Sequence, residues 1–162
     1  MNIKKWKPMV VTDAEKAGVC GQYLELLERQ KDLTNFLSLY RRGARWSLEH
    51  NVPRIDMLRQ CTEERLDLHG IYIDRHFDGD IFWDRQVYIF HNCTGTIRTG
   101  LNLDRRIAPI LYFANGCNMR IESANADCIT TPVHIPIYVY NNSHIEAEDS
   151  AKINCIYHIS ND

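Results

Sequence analysis

The chain has 162 residues, 44% hydrophobic and 25% charged, with 19 Lys and Arg against 21 Asp and Glu for a net charge of −2. That length holds one domain, or two small pieces sharing one core, and it can fold without a metal or a disulfide. The near-zero charge excludes bulk attraction to nucleic acid or membrane, and no apolar run is long enough to span a bilayer.

The first stretch, Met1 to Pro8, is basic but has no apolar segment behind it, so it does not read as a signal peptide and a cytoplasmic location is expected. Thr12-Asp13-Ala14-Glu15 fits a capping box, with a hydroxyl and a carboxylate each satisfying a backbone N–H. Ala17, Cys20, Leu24 and Leu27 then recur at spacings of three and four, one helical stripe. Asp32 is placed to cap a second helix whose buried stripe is Phe36, Leu37, Tyr40, Ala44 and Leu48, with Arg41, Arg42 and Arg45 outside. Asn51-Val52-Pro53 ends it, since the residue before proline is pushed out of the helical region. Pro53 suits the first turn of a third, short helix carrying Ile55, Met57, Leu58 and Cys61. The expectation for residues 1–67 is a helical hairpin plus one short helix.

From about Leu68 the period falls to two. Residues 1–80 carry 13 basic and 13 acidic side chains, and residues 81–162 only 6 and 8. Ile71–Ile73, Val87–His91, Ile110–Phe113, Met119–Ser123, Val133–Tyr140, His144–Ala147 and Ala151–Tyr157 are short and rich in β-branched or aromatic residues. Asn-Cys-Thr-Gly, Asn-Gly-Cys-Asn and Asn-Asn-Ser-His between them are turn chemistry. Phe90, Phe113 and Tyr140 each lead into such a corner, 23 and 27 residues apart, with Asn92, Asn115 and Asn142 as the corner residues. A repeat of this length built of short strands points to a β-solenoid-like stack over residues 68–162, with asparagines aligned at its corners. An antiparallel sheet or sandwich whose turns use Asn stays open beside it. Pro109, Pro132 and Pro136 fit corners or edges. The fold class is α+β: a helical part capping a short β stack in one cooperative unit.

Helices followed by short coils with N-C, N-G and N-S corners and I-x-A alternation resemble small uncharacterised proteins of gut Bacteroidetes, their phages and mobile elements. There, helices precede a C-terminal β-solenoid. Asn142-Ser143-His144-Ile145-Glu146-Ala147 is the close copy of the repeat, and the likeness covers about residues 85–157. It implies an architecture and an association with phages or mobile elements, and no reaction.

The six cysteines lie 11 to 41 residues apart with no Cys-x-x-Cys pair, so they read as separate buried core residues and not as bridges or metal ligands. The seven histidines show no zinc-type spacing. His144-Ile145-Glu146 lacks the downstream Pro-Cys-x-x-Cys that a zinc deaminase needs. Phosphate-loop, Gly-x-Ser-x-Gly and dinucleotide motifs are missing. Asp74, His76, Asp78, Asp80 and Asp84 cluster around a Gly-containing loop at the junction of the two parts. With His91, the set His76, Asp78 and Asp80 forms the candidate ligand-binding group. Arg41, Arg42 and Arg45 are the candidate phosphate contacts of a nucleic-acid regulator, which the net charge disfavours. The leading expectation is a non-catalytic structural or protein-interaction protein that self-associates through its β region, with no cofactor, no metal and no membrane. A small ligand binder or enzyme at the junction is the alternative.

Overall fold

A computed structural model describes residues 3–82, 86–100, 109–123, 135–140, 142–147 and 155–159. The chain is α+β and divides into two compact units, Met1–His69 and Gly70–Asp162.

The first unit holds helices α1 (Ile3–Lys16), α2 (Gly21–Arg29), α3 (Leu33–Arg42), α4 (Ala44–Glu49), α5 (Ile55–Leu58) and α6 (Glu63–Asp67). α1 overturns the capping box at Thr12, which lies inside this helix. Its buried residues Trp6, Val10 and Ala14 recur every four residues, the period of a helix face. The helix ends because Gly18 takes φ +73. The Gly18 N–H then reaches the Glu15 carbonyl at 3.0 Å and the Val19 N–H reaches that of Ala14 at 3.1 Å, a Schellman closure. The Ala17–Leu27 stripe is therefore broken: Ala17 and Cys20 lie in the connection between α1 and α2, Leu24 and Leu27 in α2, and only Leu27 of the four is buried, Cys20 standing exposed as the residue before α2.

Asp32 does cap α3: its carboxylate accepts from the Asn35 N–H at 2.8 Å. Phe36, Leu37, Tyr40, Ala44 and Leu48 are all buried, although the predicted single helix is interrupted at Gly43. Pro53 precedes α5 by two residues instead of opening it, and Met57 and Leu58 are the buried pair of that helix. Trp6 ties the unit together. It meets Phe36 edge-on at 6.2 Å, and its indole N–H donates to Gln60 Oε1 at 3.2 Å. Among the described residues, no helix is long and apolar enough to cross a membrane.

The second unit holds nine described strands: β1 (Ile71–Ile73), β2 (His76–Phe82), β3 (Val87–His91), β4 (Thr94–Gly100), β5 (Ile110–Ala114), β6 (Asn118–Ser123), β7 (Pro136–Tyr140), β8 (His144–Ala147) and β9 (Cys155–Ile159). Odd strands form one sheet in the order β1-β3-β5-β7-β9, and even strands another, β2-β4-β6-β8. Every pairing among the described strands is parallel. The antiparallel sheet or sandwich is thereby excluded. The corner after each of β1, β3, β5 and β7 does not fold the chain back beside itself; it passes the chain to the other sheet. Partner residues lie 18 apart from β1 to β3, 23 from β3 to β5, 26 from β5 to β7 and 19 from β7 to β9. Val139, not Tyr140, is thus the residue that aligns with Phe113. Pro136 opens β7, an internal strand, at the first position, where a missing N–H is tolerated.

One apolar cluster draws on both sheets, with Tyr88, Phe90, Leu111, Phe113, Ile137 and Val139 from odd strands and Ile97, Met119, Ile121 and Ile145 from even ones. Alternate residues on each strand reach it, as the pleat requires. Inside it Phe90 stacks on Phe113 at 4.8 Å and on Tyr72 at 5.2 Å.

Cys61, Cys93 and Cys117 are buried free thiols. The side chains of Cys128 and Cys155 lie outside the described residues. Burial pushes the Cys61 thiol from 9.0 up to about 11, against the nearby Arg65, which pulls it down. The folded chain therefore favours the protonated thiol. That contribution is whole below pH 9 and fades as pH climbs through 11. Alkylation of Cys61, followed by mass spectrometry, is expected to lag far behind that of exposed Cys20 at pH 8.5 and to close the gap towards pH 11. Equal rates at pH 8.5 would show that Cys61 is not held in this way.

Candidate functional site

The Arg75–Asp80 segment, expected as a polar loop, is mostly strand, because Thr94–Gly100 offers a parallel partner for each residue of β2. Pairing of the backbone outweighs the poor strand propensity of Asp and Gly here. The consequence is an ordered polar face. Across the even sheet, His76, Thr94, Asn118 and His144 share one column, and Asp78, Thr96, Arg120 and Glu146 the next. Asp80 holds the register position opposite Arg98, which in turn stands opposite Glu122. Their inward neighbours Ile97, Met119, Ile121 and Ile145 are buried, so these columns face water.

The face is laced by contacts at strand spacing. His76 Nδ1 lies 3.0 Å from Thr94 Oγ1. Glu122 bridges two arginines, Arg98 Nε at 3.4 Å and Arg120 Nε at 3.2 Å. His144 Nε2 lies 3.5 Å from Glu146 Oε1, both side chains about two-thirds exposed at 70% and 66%. Exposed pairs of this kind contribute about 0–1 kcal/mol each. They order the surface more than they stabilise it.

Beside this face run two columns of corner residues. Asp74, Asn92 and Asn115 all take left-handed backbone, at φ 55, 50 and 58. Asn and Asp tolerate that region better than other residues with a side chain. The Asn92 amide donates to Asp74 Oδ1 at 2.6 Å, and the Asn115 amide meets His91 Nδ1 at 2.6 Å. Asn142 stands one residue beyond this column, opposite Gly116, since both flanking strand pairs hold a spacing of 26. One position on, the Cys93 N–H donates to Cys117 Sγ at 3.4 Å and the Cys117 N–H to Ser143 Oγ at 3.1 Å. The Cys93 thiol is pushed well up, by its hydrogen bond with Cys117 and then by burial. It stays a protonated donor to the Tyr72 and His91 carbonyls.

Of the predicted ligand group, His76 and Asp78 lie on the outward face of β2, whereas His91 belongs to the other sheet and is buried. The side chain of Asp80, and Asp84 altogether, lie outside the described residues. Arg41 and Arg42 occupy the last turn of α3, and Arg45 on α4 pairs with Glu49 at 3.0 Å. Among the described residues, no group of three His, Cys, Asp or Glu is placed to hold a metal ion. Arg98, Arg120 and Glu122 were missed as members of the polar face. The signal was present in Arg120-x-Glu122, where residues two apart on a strand share a side. The arrangement offers rows of donors and acceptors at fixed spacing, suited to reading an extended partner. The chain gives no significant match to any protein-family model, curated protein or solved structure.

Proposed function

We propose that the second unit is a short β-solenoid, and that the protein is a non-catalytic structural or interaction protein that self-associates by continuing this stack. One observation carries the reading. Each strand pairs in parallel with the strand two further along the chain, and β8 and β9 are the last strands of their sheets among the described residues. A parallel edge presents a row of backbone N–H and C=O groups that another strand in the same direction can pair with. A second copy supplies such strands, and repeat stacks depend on covering their terminal units. The outward polar columns on β2, β4, β6 and β8 would then run on across the junction.

Light scattering after size exclusion, over a hundredfold range of protein concentration, is expected to give a mass of at least two chains. A monomer mass at every concentration rejects self-association.

A further inference from the structure

We propose, resting on the self-association read above, that the free edge of β8 is occupied by β8 of a second copy. The two strands pair antiparallel about a two-fold axis at Ile145, so that His144 of each chain faces Glu146 of the other.

The backbone sets the phase. Among the described strands β8 pairs on one side only, with β6. The His144 N–H donates to the Cys117 carbonyl, just before β6, at 2.7 Å. Successive residues of a strand turn their N–H and C=O groups to alternate sides, so Ile145 turns both of its groups away from β6. An antiparallel strand centred on Ile145 meets them with the same two groups of its own Ile145, the hydrogen-bonded pair of such a ladder. Parallel sheets commonly end in an antiparallel edge strand. The even sheet then continues into that of the second copy with its strand direction reversed.

The side chains select the same axis. His144 and Glu146 are exposed, and Ile145 between them is buried. With the axis at Ile145, His144 and Glu146 fall at the flanking non-hydrogen-bonded positions, where Cα atoms approach to about 4.5 Å and side chains lie closest. An axis at His144 or at Glu146 would set that residue against its own copy, and like charges directly opposite repel. Arg120 stands beside Glu146 on its other flank. The row across the junction thus runs Arg120, Glu146, then His144 and Asn118 of the second copy. Head-to-tail stacking of β8 on β2 fits less well. Extending the register would place His144 opposite His76 and Glu146 opposite Asp78, carboxylate against carboxylate. A two-fold contact also closes at two chains, whereas a head-to-tail one runs on.

The test is sedimentation equilibrium of the full chain, of His144→Glu, of Glu146→Lys and of the two variants mixed in equal amounts. The wild-type chain is expected to form a dimer that grows no further. Each variant alone is expected to weaken that dimer about tenfold, because both symmetric contacts lose their unlike pairing. The mixture is expected to restore it, since the new carboxylate of one variant faces the new amine of the other. Both positions are exposed, and circular dichroism checks that the variants keep their fold. A wild-type dimer that either variant leaves unchanged or tightens, as pairing with His76 and Asp78 would require, overturns the two-fold junction and leaves self-association standing. Failure of the mixture to restore the dimer does the same. A monomeric wild-type chain overturns both.

Discussion

Gly95→Ala is expected to unfold the strand-built unit, or to destabilise it by roughly 3 kcal/mol or more. Gly95 sits in β4 at φ +98, a conformation that residues with a Cβ rarely adopt. An added methyl group would overlap the Phe77 carbonyl oxygen and lie 2.9 Å from His76 Cε1. The obstacle is backbone of the paired strand, so no side chain can simply swing away. Gly79→Ala is the matched control. That residue also has a positive φ, of 142, but nothing stands within 4 Å of its added Cβ. It is expected to cost only the conformational strain, about 1–3 kcal/mol. Urea unfolding followed at β3 and β5 amides separates the two. Equal losses would mean that β2 and β4 do not approach each other at Gly95 as described.

Phe90→Ala is expected to cost about 3–5 kcal/mol in the same measurement. Phe90 is fully buried, lies face to face with Tyr72 and Phe113, and takes the edge of Phe77 at 5.7 Å. Removing the ring leaves a cavity between neighbours that are held by their own strands and cannot close in. Phe90→Leu keeps much of the volume and is expected to lose about half as much. A loss under about 1 kcal/mol for the alanine variant would show that this ring column is not the centre of the core.

The features that could be read from the chain were those set by local chemistry. Asp32 capped its helix, and Phe36, Leu37 and Tyr40 faced inward, because a cap and a helical stripe each involve residues a few positions apart. Among the described residues the period-two segments became strands for the same reason, Val133-His134 and Ala151–Asn154 lying outside them. What escaped depended on distant partners. Thr94–Gly100 reads as turn and loop residues, yet it is a strand because β2 and β6 flank it. α1 was hidden by Pro8 and by a capping signal at Thr12 that the folded chain does not use. The corner asparagines were legible as turn residues; Asn92 and Asn115 fall in register, 23 residues apart, and Asn142 does not. A one-residue difference in spacing, 26 against the expected 27, decides that Asn142 falls beside Gly116. The polar face was half visible. His76 and Asp78 stood out by residue type and Arg120 and Glu122 by their spacing of two, while Arg98 acquires its place only through register.

The two corner columns point in opposite directions along the chain. Cys93 and Cys117 each find the acceptor for their N–H in the strand pair that follows, whereas Asn92 and Asn115 reach back to the pair before. Each corner is therefore interlocked with both of its neighbours, like teeth cut in opposing senses. Paired parallel sheets joined in this way resist peeling from either end, and truncating them by one strand pair strips a partner from the corner that remains. The unit is accordingly expected to melt all at once, without fraying strand by strand.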